Sequence, residues 1–477
     1  MRQNRKPKET DIPKVYTSRH KKSERVLKAI FIVSYVLLAV WILKILIMDS
    51  VEMQVNAYNP RLSAIEARFY RGRILDRAGR SLAIQEDDIR EYPYGAALGP
   101  VTGYSGPSKD GLEDVMNSYL LSPASAEDQA KYWLTNEKLA GCDIDTTVNA
   151  ELSYAAYQGM GDYKGAVIIT EADTGELLAL VSNPFYNPNS VFDNWDSLRQ
   201  DEDQPFFNRA TMGIYPPGST FKLLTSLAWH RSSLYDPDYT YTCEGYEEFD
   251  GYGMRCFHGE IHGELTISDA LAHSCNTFFS TLAVKMGRDS LIQIMDDMGF
   301  GQKIPFVLPT AVSEYGLEED SNLEELAATG IGQGKIEMTP LLLNRITCAI
   351  ANGGWVRDYM LVEDIRNADG SIRENMEHGR REPVMNSEEA SWLTEMMEGV
   401  CEYGTADIMS SMDTQVYGKT GTAENATETD HTWFTGFFEA DSGHRVAVTV
   451  LLEESGGQYH AVYLARDLIE WILTYGY

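Results

Sequence analysis

Three short stretches of the chain carry residue types suited to acyl transfer. In Tyr215-Pro216-Pro217-Gly218-Ser219-Thr220-Phe221-Lys222 a rigid Pro-Pro-Gly precedes an apolar helical pattern, so Ser219 is expected at a helix N-terminus with Lys222 one turn on. Residues three apart share a helix face, which brings the amine within reach of the hydroxyl proton. Spacing alone says little, because Ser18 to Lys21 repeats S-x-x-K and an ordinary helix start with a solvated lysine has the same pattern. Order adds specificity. The chain's only S-x-N, Ser274-Cys275-Asn276, comes next, and its only K-T-G, Lys419-Thr420-Gly421, comes last.

Each residue has a physical task in such chemistry. Ser219 is the expected nucleophile, and Lys222 must be neutral to act as its base, a state favoured by a water-poor pocket and by the like charge of Lys419. Asn276 can hold Lys222 and a substrate amide, while Ser274 can relay a proton to a leaving amine. A strand bearing Lys419, Thr420, Gly421 and Thr422 presents a cation and hydroxyls to a substrate carboxylate, and Gly421 allows close backbone approach. The expected oxyanion hole is the backbone N–H groups of Ser219 and Thr422.

These residues need a scaffold. GAVIITEADTGELLALVSN (165–183) reads as two strands joined at Asp173-Thr174-Gly175, after an amphipathic helix around Val148 to Gln158. VYGKTGTAE, TWFTGFFEA and RVAVTVLLE read as successive strands, and Ala461 to Leu473 repeats apolar residues at helical spacing. Strands at both ends with helices between them predict an α+β region, 146–477, whose sheet is completed by its C-terminal strands. Residues 49–145 are turn-rich, with short strand-like runs such as Arg73 to Asp76, and read as a mixed, β-rich supporting module.

With its three motifs in this order the chain resembles the serine penicillin-binding proteins, whose motif set is related to that of class A β-lactamases. RGRILDRAGRSLA (71–83), TGYSGPSKDGLEDVMNSYL (102–120), NRATMGIYPPGSTFKLLTSLA (208–228), GIGQGKIEMTPLLL (330–343) and the TWFTGFF after KTGTAE are similar to segments of the class B, monofunctional members. The resemblance implies a penicillin-binding transpeptidase (serine β-lactamase-like) fold, an antiparallel sheet with flanking helices, behind a pedestal at 49–145. It also implies D,D-transpeptidation of peptidoglycan stem peptides. Ser219 would attack the bond between the last two D-alanines, D-alanine would leave, and an amine of a neighbouring strand would resolve the acyl-enzyme. β-Lactams would acylate Ser219 as mimics, no cofactor or metal is expected, and a polytopic membrane glycosyltransferase is the expected partner. Residues 49–145 are too few for the glycosyltransferase domain of a class A member, and 424–477 suffice only for two strands and a helix. Two alternatives share the fold. Water as acceptor would make the chain a β-lactamase or D,D-carboxypeptidase; slow or absent turnover would make it a scaffold or β-lactam-binding protein in wall synthesis. The anchor and pedestal favour transpeptidase, with elongation, division and sporulation all open.

Charge supplies the topology. The chain has 40 Lys plus Arg against 71 Asp plus Glu, a net charge of −31 that repels phosphate backbones and argues against nucleic-acid binding. Residues 1–28 nonetheless carry ten basic against three acidic side chains, and the apolar run 29–48 follows with one charge, Lys44, placed to snorkel. Twenty residues suit a bilayer core about 30 Å thick, and Met48-Asp49-Ser50-Val51-Glu52 offers no signal-peptidase site. An uncleaved, single-pass signal anchor in a bacterial cell membrane is expected, its basic tail cytoplasmic by the positive-inside rule and its catalytic region outside.

Other motifs are weaker. His258-Gly-Glu-Ile-His262 has H-x-E-x-H spacing, not the H-E-x-x-H of helical zinc proteases. A metal site of Cys243, Cys256, His258 and His262 is open, although a Cys243–Cys256 disulfide or free thiols fit better, and Cys275 reads as a packed thiol. Gly330-Ile-Gly-Gln-Gly334-Lys335 lacks phosphate-loop spacing and reads as a tight turn before a helix near Pro340.

Overall fold

The computed structural model describes residues 14–47, 66–86, 88–122, 137–424, 429–456 and 460–477. The first basic residues, the end of the apolar run at Met48, the opening of the 49–145 module and the side chains of Ser18, Lys21 and Lys44 lie outside this set. The chain divides into two units, Met1–Arg68 and Phe69–Tyr477. In the first, Lys14–Ile47 is one continuous helix. Its stretch Lys22–Ile42, with mean hydropathy 2.0 and no side chain buried, is long and apolar enough to cross a membrane.

The second unit is built on a five-stranded antiparallel sheet. Its strand order is Val416–Ala423, His431–Glu439, Arg445–Leu452, Gly165–Glu171, Leu177–Asn183, so the three C-terminal strands do complete a sheet begun by the 165–183 hairpin. The K-T-G strand is its edge. Gly175 closes the hairpin at φ +81°, a left-handed conformation costly for a residue with a Cβ. Every residue of Gly165–Glu171 and Leu177–Asn183 is buried, because helices cover both faces. Ala150–Met160, N-capped by Asn149, and His460–Tyr475 pack on each other and on the sheet.

Helix Pro340–Ala351 covers the face that looks toward the motifs. Its Asn344 and Thr347 meet a row of strand threonines: Thr347 Oγ1 lies 2.6 Å from Thr435 Oγ1, Asn344 Nδ2 donates to Thr449 Oγ1 at 3.2 Å, and Thr170 Oγ1 donates to Asn344 Oδ1 at 2.7 Å. Buried polar groups persist only when paired, so this network fixes how the helix sits on the sheet. Lys419 is the cross-strand partner of Thr435 and therefore lies on the same face.

A second, six-stranded sheet has the order Ile372–Asn375, Val362–Arg366, Asp143–Thr146, Ile74–Leu75, Ser81–Glu86, Ile89–Glu91. Beside it, two segments quoted from the sequence meet. Arg71 of RGRILDRAGR and Arg90 both bind the fully buried Glu113 of DGLEDV, at 2.5 and 2.6 Å, and Arg71 also donates to Asn117 Oδ1 at 2.6 Å. Burial alone would raise the Glu113 carboxyl, but the two guanidinium groups hold it below its usual range. Asp76 Oδ1 accepts from the N–H groups of Ala78 and Arg80, closing the Asp-Arg-Ala-Gly turn.

Candidate active site

The three motifs converge at the open edge of the five-stranded sheet. Ser219 does not stand on the first turn of an α-helix. It lies in a 3-10 turn, Gly218–Phe221, and the α-helix runs from Lys222 to Arg231. The cause is local: two prolines set the approach, and Gly218 at φ +53° turns the chain into the tighter winding, in which i and i+3 eclipse.

Close backbone packing holds that turn. Gly218 N–H donates to Gly332 O at 2.8 Å, and a Cβ on Gly332 would lie 2.1 Å from Gly218 O. The Gly330–Gly334 stretch is a turn, as its spacing suggests, but its work is to brace the serine. On the other side Trp433 Nε1 donates to Pro216 O at 3.1 Å. Gly421 has a different immediate role from the one its motif suggests. A Cβ there would meet Thr220 Cγ2 and Trp433 Cβ at 3.0 Å, so glycine is what lets the edge strand lie against the serine turn.

Lys222 and Lys419 are fully buried and both face Ser274 Oγ, at 3.2 and 3.0 Å. Lys222 Nζ also donates to Ser274 O at 2.6 Å and to Asn276 Oδ1 at 2.7 Å. The Asn276 amide is oriented by its Nδ2, which donates to Arg255 O at 2.9 Å and leaves Oδ1 for the lysine. Ser274 itself is held at φ +54°, an uncommon conformation for a non-glycine residue.

Burial pushes the Lys222 amine down to about 7. Lys419 is lowered well below its usual range, by burial first and by the Lys222 charge second. The like-charge repulsion expected to act on Lys222 thus weighs on Lys419. A neutral Lys222 has two N–H bonds, which Ser274 O and Asn276 Oδ1 occupy, and one lone pair left to accept a proton.

Ser219, Ser274, Asn276, Thr420 and Thr422 line one cleft of about 290 Å³, with the two lysines behind its wall. Sequence reasoning missed two contributors. Thr405 also lines the cleft, its Oγ1 2.7 Å from Thr420 Oγ1, and no motif marks it. Much of the remaining wall comes from 241–265, two pairs of short strands, Tyr241–Cys243 with Gly263–Leu265 and Tyr246–Phe249 with Tyr252–Arg255. His258, a candidate metal ligand by its spacing, is exposed and packs against Phe257 with ring centroids 4.0 Å apart and the ring planes tilted by 56°. Cys243 and Cys256 are free thiols.

The family model for the penicillin binding protein transpeptidase domain matches residues 165–470. The chain is 30% identical over 410 residues to the peptidoglycan D,D-transpeptidase PbpA of Mycolicibacterium smegmatis, covering 78% of this chain and 80% of that one. The D,D-transpeptidase domain of a peptidoglycan glycosyltransferase from Eggerthella lenta superposes with a TM-score of 0.77 at 28% identity, over 85% of this chain and 99% of that one. The penicillin G acyl-enzyme complex of penicillin-binding protein A from M. tuberculosis gives a TM-score of 0.75 at 28% identity, over 85% of this chain and all (100%) of the other.

Proposed function

The chain belongs to the penicillin-binding protein transpeptidase family, and from that premise we propose that it is a peptidoglycan D,D-transpeptidase working through an acyl-enzyme on Ser219. The observation that carries this reading is the meeting of Lys222 with Ser274 and Asn276, and of Lys419 with the same Ser274 hydroxyl, at hydrogen-bond distances behind a cleft that Ser219 lines.

Ser219 Oγ attacks the carbonyl carbon between the two terminal D-alanines of a stem peptide, and its proton passes to the lone pair of neutral Lys222. The backbone N–H groups of Ser219 and Thr422 hold the oxyanion. The C–N bond then breaks. Lys222 returns the proton through Ser274 Oγ, which lies 3.2 Å from it, to the departing amine of D-alanine. An acceptor amine attacks the ester, loses its proton along the same path and regenerates Ser219. Lys419, Thr420 and Thr422 receive the substrate carboxylate, whose negative charge is the counter-ion that lets buried Lys419 keep its proton. A β-lactam carbonyl enters the same position, in keeping with the acyl-enzyme complex of the M. tuberculosis relative.

The N-terminal helix supports a single-pass anchor, and the basic tail favours a cytoplasmic N-terminus with Phe69–Tyr477 outside. A polytopic membrane glycosyltransferase is the partner that would supply the glycan strands. The test is to incubate the detergent-purified chain with a stem-peptide thioester donor and an amine acceptor. Cross-linked product exceeding hydrolysed donor supports transpeptidation; hydrolysis alone would favour a carboxypeptidase.

A further inference from the structure

We propose that Glu453 is a positioning residue for the reaction, clamping Tyr215 so that the Pro216-Pro217-Gly218 approach carries Ser219 to one fixed place against the main sheet; the role rests on the function proposed above. Glu453 follows directly on the strand Arg445–Leu452. Its Oε1 accepts from the Tyr215 hydroxyl at 2.7 Å and from Arg209 Nε at 2.8 Å. Its own N–H donates to Lys164 O at 2.7 Å, beside the start of Gly165–Glu171. The carboxylate is therefore carried by two strands that pair with each other at the centre of the sheet.

Arg209 completes the clamp. Its guanidinium is buried, with Nη2 donating to Asp203 O at 2.7 Å and Nη1 to Gln204 O at 3.5 Å, so each of its nitrogens has a partner. Its backbone N–H donates to Ser182 Oγ at 3.0 Å, on the strand Leu177–Asn183. The ion pair balances a carboxylate whose side chain is only 14% exposed, and its charge strengthens the bond from the tyrosine.

Tyr215 transmits the constraint. Burial first and the Glu453 charge second push its hydroxyl far above its usual range, so it stays protonated and donates. The ring stands edge-on to His431 and Trp433, with centroids 5.8 and 6.1 Å away, and the backbone N–H and C=O are both bonded to Met338, at 3.0 and 2.8 Å. A Cβ on Gly213 would lie 2.3 Å from the ring, so glycine makes room for it. Between Tyr215 and Ser219 stand two prolines, whose rings set φ, and Gly218, whose N–H is bonded to Gly332 O. A displacement at Tyr215 is thus passed on to Ser219 and not absorbed on the way. Misplacing a nucleophile by about 1 Å costs on the order of a hundredfold in rate.

The test compares the full-length chain in detergent, wild type beside Tyr215→Phe, Glu453→Gln and Glu453→Ala. Stopped-flow acylation by a penicillin is resolved into non-covalent affinity and a chemical rate constant, normalised to the fraction of sites that finally label. Tyr215→Phe loses one oxygen and keeps the ring, and it should slow the chemical step about ten- to a hundredfold with affinity and the pH midpoint unchanged. Glu453→Ala should do the same, and Glu453→Gln, which keeps an acceptor oxygen at the same reach, should recover most of the loss. A merely structural role would lower the labelled fraction and the thermal midpoint and leave the rate per labelled site alone. Hydrogen exchange of the amides from Gly218 to Lys222 needs no turnover; it should quicken in Tyr215→Phe while exchange in the main sheet holds. An unchanged chemical rate constant in Tyr215→Phe, a loss confined to affinity, or Glu453→Gln as slow as Glu453→Ala would overturn the role. Wild type that never labels would count against Ser219 as nucleophile. Exchange would then decide the clamp, equal rates in wild type and Tyr215→Phe refuting it.

Discussion

Two lysines that share one serine hydroxyl in a buried site cannot both keep their protons at low cost, and this competition sets the chemistry at the residue scale. Lys222 is a base only when neutral. With its amine lowered to about 7 by burial, acylation by a neutral-side-chain penicillin should rise with pH, reach half its plateau near pH 7 and then level off. Stopped-flow acylation between pH 5 and 9 checks this; a rate flat across that range would remove Lys222 from the role. Replacing Lys222 by Ala should cost about 10²- to 10⁴-fold in the same assay. The residue types were legible in advance because S-x-x-K, S-x-N and K-T-G differ from background in both kind and order. The direction of charge repulsion was not, since it depends on how the fold sets two fully buried amines around one serine hydroxyl. Nor was Thr405, which has no neighbour in sequence to mark it and acquires its place only where Thr405 Oγ1 meets Thr420 Oγ1.

At the scale of elements, glycines let backbones touch. Gly332→Ala would drive a methyl to 2.1 Å from Gly218 O, whereas Gly370, at φ +85° with nothing within 4 Å, carries only the conformational cost. Gly332→Ala should therefore slow acylation and lower the thermal midpoint together, while Gly370→Ala should lower the midpoint slightly and leave acylation unchanged. Glu113 makes a different demand. Removing it strands two buried arginines, so Glu113→Ala should destabilise the fold by about 3–5 kcal/mol, read from urea unfolding. Its depressed carboxyl adds stability that is present above the usual carboxylate range and is lost as pH falls through the folded value. The five strands of the main sheet were legible from apolar, β-branched runs bounded by turn residues, with no alternation because both faces are covered. The pairing of Val362–Arg366 with Asp143–Thr146 was not, because strands more than 200 positions apart leave no local signature. The short strands of 241–265 carry too few residues for any period to show.

At the scale of the whole molecule, the uneven charge separates two functions. Residues 1–28 carry a net +7, and the region beyond the apolar run carries −39, read from the same sequence. An anionic substrate or β-lactam must reach Lys419 against the field of that acidic region, which salt screens over a Debye length of about 30 Å at 0.01 M and about 8 Å at 0.15 M. Second-order acylation by an anionic penicillin should therefore rise with ionic strength across that interval, and a flat response would show that the field does not reach the cleft. The central claim is the acyl-enzyme on Ser219. Fluorescent penicillin labelling of the full-length chain, wild type beside Ser219→Ala, with timed release of the label, tests it most directly. The expected result is a lasting adduct on wild type and none on Ser219→Ala; undiminished labelling of the variant, or release from wild type within seconds, would contradict the account.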